Sequence, residues 1–251
     1  MHLRFIKYYG EKIRSAFAAR ERPTGHGSSR IVITAVLLVV VYLIVSVVLV
    51  PTGKVPEFNF VDERGTVTVL SALLLAIASG FAFVAFLISA GDAWRHRLFW
   101  LVVAGAVGFL AFDELLQFHE RVGRRLDRVD TLRSMVDQTP IRNWNDVVVI
   151  MYGIPAFAVG LYFWPSAIRF SRVFEFLCVA AVFYVLHTAI DSVVEPRTTL
   201  SVILEESSKV FTALFLAIAS LDGLLCLVKR FSASKQREFP ELSVVEHETA
   251  A

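Results

Sequence analysis

Cysteine is nearly absent from this chain. Cys178 and Cys226 are the two in 251 residues, and both sit inside apolar runs. With no CxxC or comparable spacing, a disulfide framework and a thiolate metal site are excluded, and both thiols read as small buried hydrophobes. Net charge is equally scarce, 25 Lys and Arg against 23 Asp and Glu. No basic stripe with interleaved aromatics lies outside the flanks of the apolar runs, which removes nucleic acid as a partner. Phosphate-binding glycine loops, nucleophile motifs and dinucleotide fingerprints are missing. No internal repeat or low-complexity segment is present.

What is abundant is apolar length. The chain is 56% hydrophobic, with mean hydropathy +0.62, above the usual range of soluble domains. Six stretches have about the 20 residues a bilayer crossing needs, at 31–50, 67–90, 98–118, 147–164, 173–194 and 200–228. The fourth is short and bounded by Pro165. The expected fold is all-α, a polytopic bundle of six transmembrane helices. Its expected divisions are a basic N-terminal segment 1–30, a six-helix domain 31–230 and a polar C-terminal tail 231–251.

The N-terminus does not read as a cleavable leader. Its apolar run begins only after some thirty residues, is too long for a leader core, and ends in Val-Pro. Residues 1–20 are either an interfacial amphipathic helix, with Ile6, Tyr9, Ile13 and Phe17 on one face, or a basic tail without fixed structure. The Lys and Arg of this segment, together with Lys229, Arg230, Lys235 and Arg237, predict both termini in the cytoplasm and location in a bacterial inner membrane. The loop 121–145 opposes that reading, because it carries six arginines.

That loop follows an unusual span end. "GFLAFDELLQFHERVGRR", residues 108–125, puts Asp113, Glu114, His119 and Glu120 within eight positions. "LHTAIDSV" puts His187 and Asp191 at the end of the fifth span, and "ILEESSKV" puts Glu205, Glu206 and Lys209 at the start of the sixth. Odd spans end and even spans begin on the same membrane face, so all three groups fall at one depth on one side. At 100° per residue, Asp113, Gln117, Glu120 and Arg124 form one stripe, and His187 and Asp191 another. His119 lies about 100° from the Glu120 face. Charges at membrane depth cost roughly 3 kcal/mol each, so they face one another rather than lipid.

Three roles fit that gathering. Imidazole and carboxylates are ligands for Zn, Fe or Mn, with His187 and Asp191 one turn apart as the first pair and His119, Glu120, Glu205 and Glu206 as further donors. A carboxylate–histidine chain can pass protons or ions. Or Lys209 pairs with Glu205 and Arg124 with Glu120, leaving a packing lock. The metal role predicts a hydrolase of a lipid ester or amide, with Asp113 or Glu114 as general base. The alternative is a non-enzymatic transporter or a structural subunit of a membrane complex. Membrane lipids are the expected partners. Val122, Leu126, Val129, Leu132 and Val136 predict an amphipathic lid within 121–145, with Gly123 as its bend and Pro140 as its end.

"FDELLQFHERVG" with "LEESSKVFTALFLAIA" resembles a pattern in uncharacterised bacterial multi-pass membrane proteins. These carry Asp-Glu-x4-His-Glu late in one span and Glu-Glu early in a later one. The matching positions are Asp113, Glu114, His119, Glu120, Glu205 and Glu206, and the resemblance implies no particular activity. "HTAID" is loosely similar to the His/Asp spacing of alkaline ceramidase-like membrane hydrolases, in reverse order. This chain departs from them in having six spans and no paired histidines in its last helix. Membrane desaturases need more histidines than the six present.

Overall fold

Inside hydrocarbon a backbone must satisfy its own hydrogen bonds, which leaves helices or closed barrels. The computed structural model describes residues 25–49, 65–136, 138–139, 141, 143–170, 172–194 and 198–238, and its regular structure there is helical. The helices are α1 Gly25–Leu49, α2 Thr66–Ile88, α3 Trp94–Leu116, α4 Phe118–Leu126, α5 Asp130–Val136, α6 Trp144–Arg169, α7 Val173–Val193 and α8 Thr199–Glu238. A 3-10 turn, Ser89–Gly91, extends α2. Six of these helices, α1, α2, α3, α6, α7 and α8, are long and apolar enough to cross a membrane. The protein is therefore an all-helical, multi-pass membrane protein. The expected interfacial helix at 1–20 lies outside the described residues.

The last helix is the axis of the bundle. α8 packs extensively against both α2 and α7, and α2 packs in turn against α3. α6 contacts α7, α3 and α4, whereas α1 touches α8 and α2 only lightly. Lipid tails are as apolar as leucine, so helix association in a membrane relies on close packing and internal polar contacts. The sequence of α2 supplies that closeness. Thr68, Ser71, Leu75, Ala78, Ala82 and Ala85 are buried at alternating spacings of three and four. Leu75 and Ala78 meet Ala213 and Ala217 of α8 and Val107 and Ala111 of α3 in one cluster. Ser79 Oγ donates to the Ala104 carbonyl at 2.8 Å, tying α2 to α3. The large apolar residues of α1 and α6, such as Leu38, Val48, Ile154 and Phe157, are left on the outside for lipid.

Two boundaries differ from the sequence expectation. Pro165 does not end the fourth span, since α6 continues to Arg169 with Pro155 and Pro165 both inside it. Proline removes a hydrogen bond one turn back, and neighbouring groups in a helical membrane bundle compensate. Nor does the last helix stop near 230; it continues through the start of the polar tail to Glu238.

Trp100 is the largest fully buried side chain. Its ring lies 4.9 Å from Phe99 and 5.3 Å from Phe170, centroid to centroid. It fits because α8 carries no side chain at Gly223, where a Cβ would come within 2.1 Å of the indole. We expect Gly223→Ala to destabilise the bundle by about 1–3 kcal/mol through overpacking. Gly105→Ala, where a Cβ meets nothing within 4 Å, should cost nothing. Thermal unfolding in detergent reads both.

Candidate functional site

The third span does not run on through its acidic end. Gln117 adopts φ 53°, ψ 46°, the only positive φ at a non-glycine among the described residues. A left-handed backbone costs an L-residue roughly 1–2 kcal/mol. Asp113 supplies the compensation. Its carbonyl accepts from the Gln117 N–H at 2.6 Å. Its carboxylate accepts from the His119 N–H at 2.9 Å, and its other oxygen lies 2.7 Å from His119 Nδ1. One side chain thereby caps the start of α4 and holds the imidazole.

The break corrects the expected single stripe through Asp113, Gln117, Glu120 and Arg124, which do not lie on one continuous helix. It also brings His119 in, the residue whose direction the helical wheel left open. Past the break, α4 packs on the start of α6. Gly123 is not the bend. It sits mid-helix at the point of closest approach, where a Cβ would lie 2.5 Å from the Asn145 nitrogen. The expected lid is two short helices, α4 and α5, rather than one. Trp144 fastens them, its Nε1 donating to the Leu132 carbonyl at 2.9 Å and its N–H to Asp127 at 3.3 Å.

Lys209 forms the centre of the site and is held from two helices. Its Nζ lies 2.9 Å from Glu114 Oε1 of α3 and 3.0 Å from Glu206 Oε2 on its own helix. Glu206 is on the α8 face turned toward α3, and Glu205 is a hundred degrees away. Arg124 reaches Glu120 at 2.7 Å; the carboxylate is buried and the arginine side chain 54% exposed.

These groups line one cavity of about 160 Å³. Asp113 and Glu114 enter from α3, His119 and Glu120 from α4, His187 and Asp191 from α7, and Glu205, Glu206 and Lys209 from α8. Gln117, Tyr152 of α6, Tyr184 of α7, Thr212 of α8, and Thr68 and Ser71 of α2 complete its polar lining. The sequence reading passed over Tyr152, Thr68 and Ser71. Span parity contained the signal, since the starts of the second and fourth spans lie on the same face as the acidic groups. Tyr184 Oη donates to the Val149 carbonyl at 2.7 Å and so joins α7 to α6 at the rim. His187 Nδ1 is buried with no hydrogen-bond partner among the described residues.

The donors do not converge as a metal centre would require. Among the described residues no group of three or more His, Cys, Asp or Glu side chains is placed to hold one ion. Glu114 and Glu206 turn to the Lys209 ammonium, Asp113 to His119, and Glu120 to Arg124. Of the six expected donors for Zn, Fe or Mn, His119, Glu120 and Glu206 are thus engaged by Asp113, Arg124 and Lys209.

The bundle and its pocket define a multi-pass membrane protein with a carboxylate-rich cavity at one end. The family model described as Domain of unknown function (DUF8692) matches residues 30–222, so the chain belongs to that family. The matched region includes every residue of the cavity. No curated protein and no solved structure matches the chain.

Two measurements test the energetics. Lys209 is only 17% exposed, so Lys209→Met leaves two carboxylates facing each other and should cost about 3–5 kcal/mol. Adding Glu114→Gln should restore part of the loss, because the two positions act as a unit. Thermal unfolding of the single and double variants in detergent checks this. The second concerns His119, outside the membrane spans. Burial pulls its pKa down, but the Asp113 hydrogen bond and the charges of Asp113, Glu120 and Glu114 outweigh that and hold it above the ordinary 6.5. A raised pKa means the imidazolium favours the folded state. Its stabilisation is complete below 6.5 and is lost as pH rises through the higher folded value. Unfolding temperature between about pH 5.5 and about pH 8.5 should fall more in wild type than in His119→Gln.

Proposed function

We propose that this protein is a non-enzymatic membrane binding or transport protein whose pocket takes a small cation. One observation carries the reading. The cavity is lined by six carboxylates, Asp113, Glu114, Glu120, Asp191, Glu205 and Glu206, against the ammonium of Lys209, two imidazoles and the Arg124 guanidinium that reaches Glu120. Such an excess of negative charge in a low-dielectric setting is costly, and it is relieved by protons or by a bound cation. The triad of Glu114, Lys209 and Glu206 is the fixed part that holds α3 to α8. Asp191 and Glu205, with His187, form the side of the cavity that meets the ligand.

The metal-dependent hydrolase is the second reading. The buried, unpartnered Nδ1 of His187 favours it, with Asp191 one turn further along α7. Its weakness is that His119, Glu120 and Glu206 are engaged elsewhere, and that among the described residues no three ligands are placed for one ion.

Titration calorimetry of purified protein with Na⁺, K⁺, Mg²⁺, Mn²⁺, Zn²⁺ and methylammonium separates the readings. We expect saturable binding of at least one cation, abolished in Asp191→Asn/Glu205→Gln while the fold persists. Binding only of Zn²⁺ or Mn²⁺, lost in His187→Ala, favours the metal site. No binding by any of the six, with stability unchanged in the double variant, overturns both and leaves a packing lock.

In this reading both termini are cytoplasmic. The end of the bundle that carries them also bears Arg95, Arg97, Arg169 and Arg172, which adds to the positive-inside bias of the tails. Labelling of Arg133→Cys, in a background without Cys178 and Cys226, should occur only from outside. Labelling from the cytoplasm reverses the orientation.

A further inference from the structure

The opposite end of the bundle has an inverse chemistry. There the end of α2, the starts of α3 and α7, and the ends of α6 and α8 bring together Arg95, Arg97, Arg169, Arg172 and Arg230. Asp92 and, in the first turn of α7, Glu175 are acidic residues at this end, and Arg230 holds Asp92 with two contacts of 2.6 and 3.4 Å. Arg95 and Arg97 are half-buried, each against an aromatic ring. The Arg95 guanidinium lies 4.7 Å from the centroid of Tyr162, whose side is 54% exposed, and donates to the Tyr162 carbonyl. Arg97 lies 4.6 Å from the Phe86 ring on the other side of α3, and Arg172 lies 5.0 Å from the Phe176 ring. Trp94, 65% exposed, stands beside Arg95. His96 sits between them, with Arg169 and Arg230 among its electrostatic neighbours. Nε of Arg95, Nδ1 of His96 and Nε of Arg97 are buried and have no hydrogen-bond partner among the described residues, which leaves the terminal guanidinium nitrogens as the outward groups.

The geometry points to a collar for anionic phospholipid headgroups at this end, with Arg95 and Arg97 as its principal contacts. Three features favour lipid over a protein partner. The guanidiniums lie 4.6–5.0 Å from aromatic rings of the membrane-spanning helices themselves, at the ends of the apolar runs. Trp94 and Tyr162 are the amphipathic ring types found at that level. And Arg95 and Arg97, two residues apart on a helix, point to different sides of α3, which suits separate headgroups around a perimeter rather than one compact ligand. Guanidinium pairs with phosphate through parallel N–H donors, and contact with a ring holds the side chain in place for that.

The test is lipid selectivity in bilayers. The full-length protein is reconstituted in phosphatidylcholine vesicles with spin-labelled phosphatidylglycerol or spin-labelled phosphatidylcholine, and the motionally restricted fraction is read by electron paramagnetic resonance. We expect a preference for phosphatidylglycerol on the order of fivefold, weakened by salt. Arg95→Gln/Arg97→Gln should remove most of it, whereas Arg125→Gln/Arg133→Gln at the opposite end should leave it in place. Should the first variant fail to reconstitute, the salt dependence and the single Arg97→Gln variant carry the same comparison. Equal association of the two lipids, or a preference unchanged in the arginine variants, overturns the proposal. Loss of the preference on adding millimolar inorganic phosphate at constant ionic strength also overturns it, in favour of a site for the free ion.

Discussion

A single ammonium group organises the polar end of this bundle. Lys209 reaches Glu114 on α3 and Glu206 on α8 at 2.9 and 3.0 Å, and in a membrane such a contact replaces water that is not there. α8 is the most buried of the spans, so its charged first turns have no lipid-free alternative to this arrangement. Without the cation, two carboxylates from adjacent helices would repel across the cavity. With it, α3 and α8 are fixed in rotation about their axes, and that rotation determines which other side chains meet. His187, Asp191 and Glu205 enter the same cavity because the helix faces are already set.

The break at Gln117 is the second device, and it depends on Asp113. A straight third helix would carry His119 and Glu120 onward along its axis. The left-handed residue redirects the chain, and Asp113 serves the new helix as a cap through His119. Gly123 then allows α4 to settle against the start of α6. A run that reads as one amphipathic span end therefore becomes a wall of the pocket.

The two ends of the molecule carry contrasting chemistry. One gathers carboxylates inside a cavity, where they attract positive charge. The other sets guanidiniums against aromatic rings near the helix ends. Small residues along α2 hold the middle together, since Ala78, Ala82 and Ala85 let it approach its neighbours closely.

The family relationship fits this division, because the matched region runs from the start of the first span past the polar turns of the last. The number of helices and the end of the bundle where the acidic groups lie were legible in the amino-acid order. Both follow from apolar run length and from the alternation of chain direction, which are local properties. The seam of small residues on α2 could also be found from its spacing. Pairing was not legible. That Lys209 meets Glu114 of α3 as well as Glu206 of its own helix depends on the rotation of α8 against α3. The left-handed Gln117 gave no glycine or proline as warning, since its stabilisation comes from a carboxylate four residues earlier. Whether histidines and carboxylates form a metal centre or separate ion pairs likewise depends on distances of a few ångströms between helices. Hydrophobicity determines by itself that these helices exist and cross; their relative rotation, set by packing, decided which charges meet.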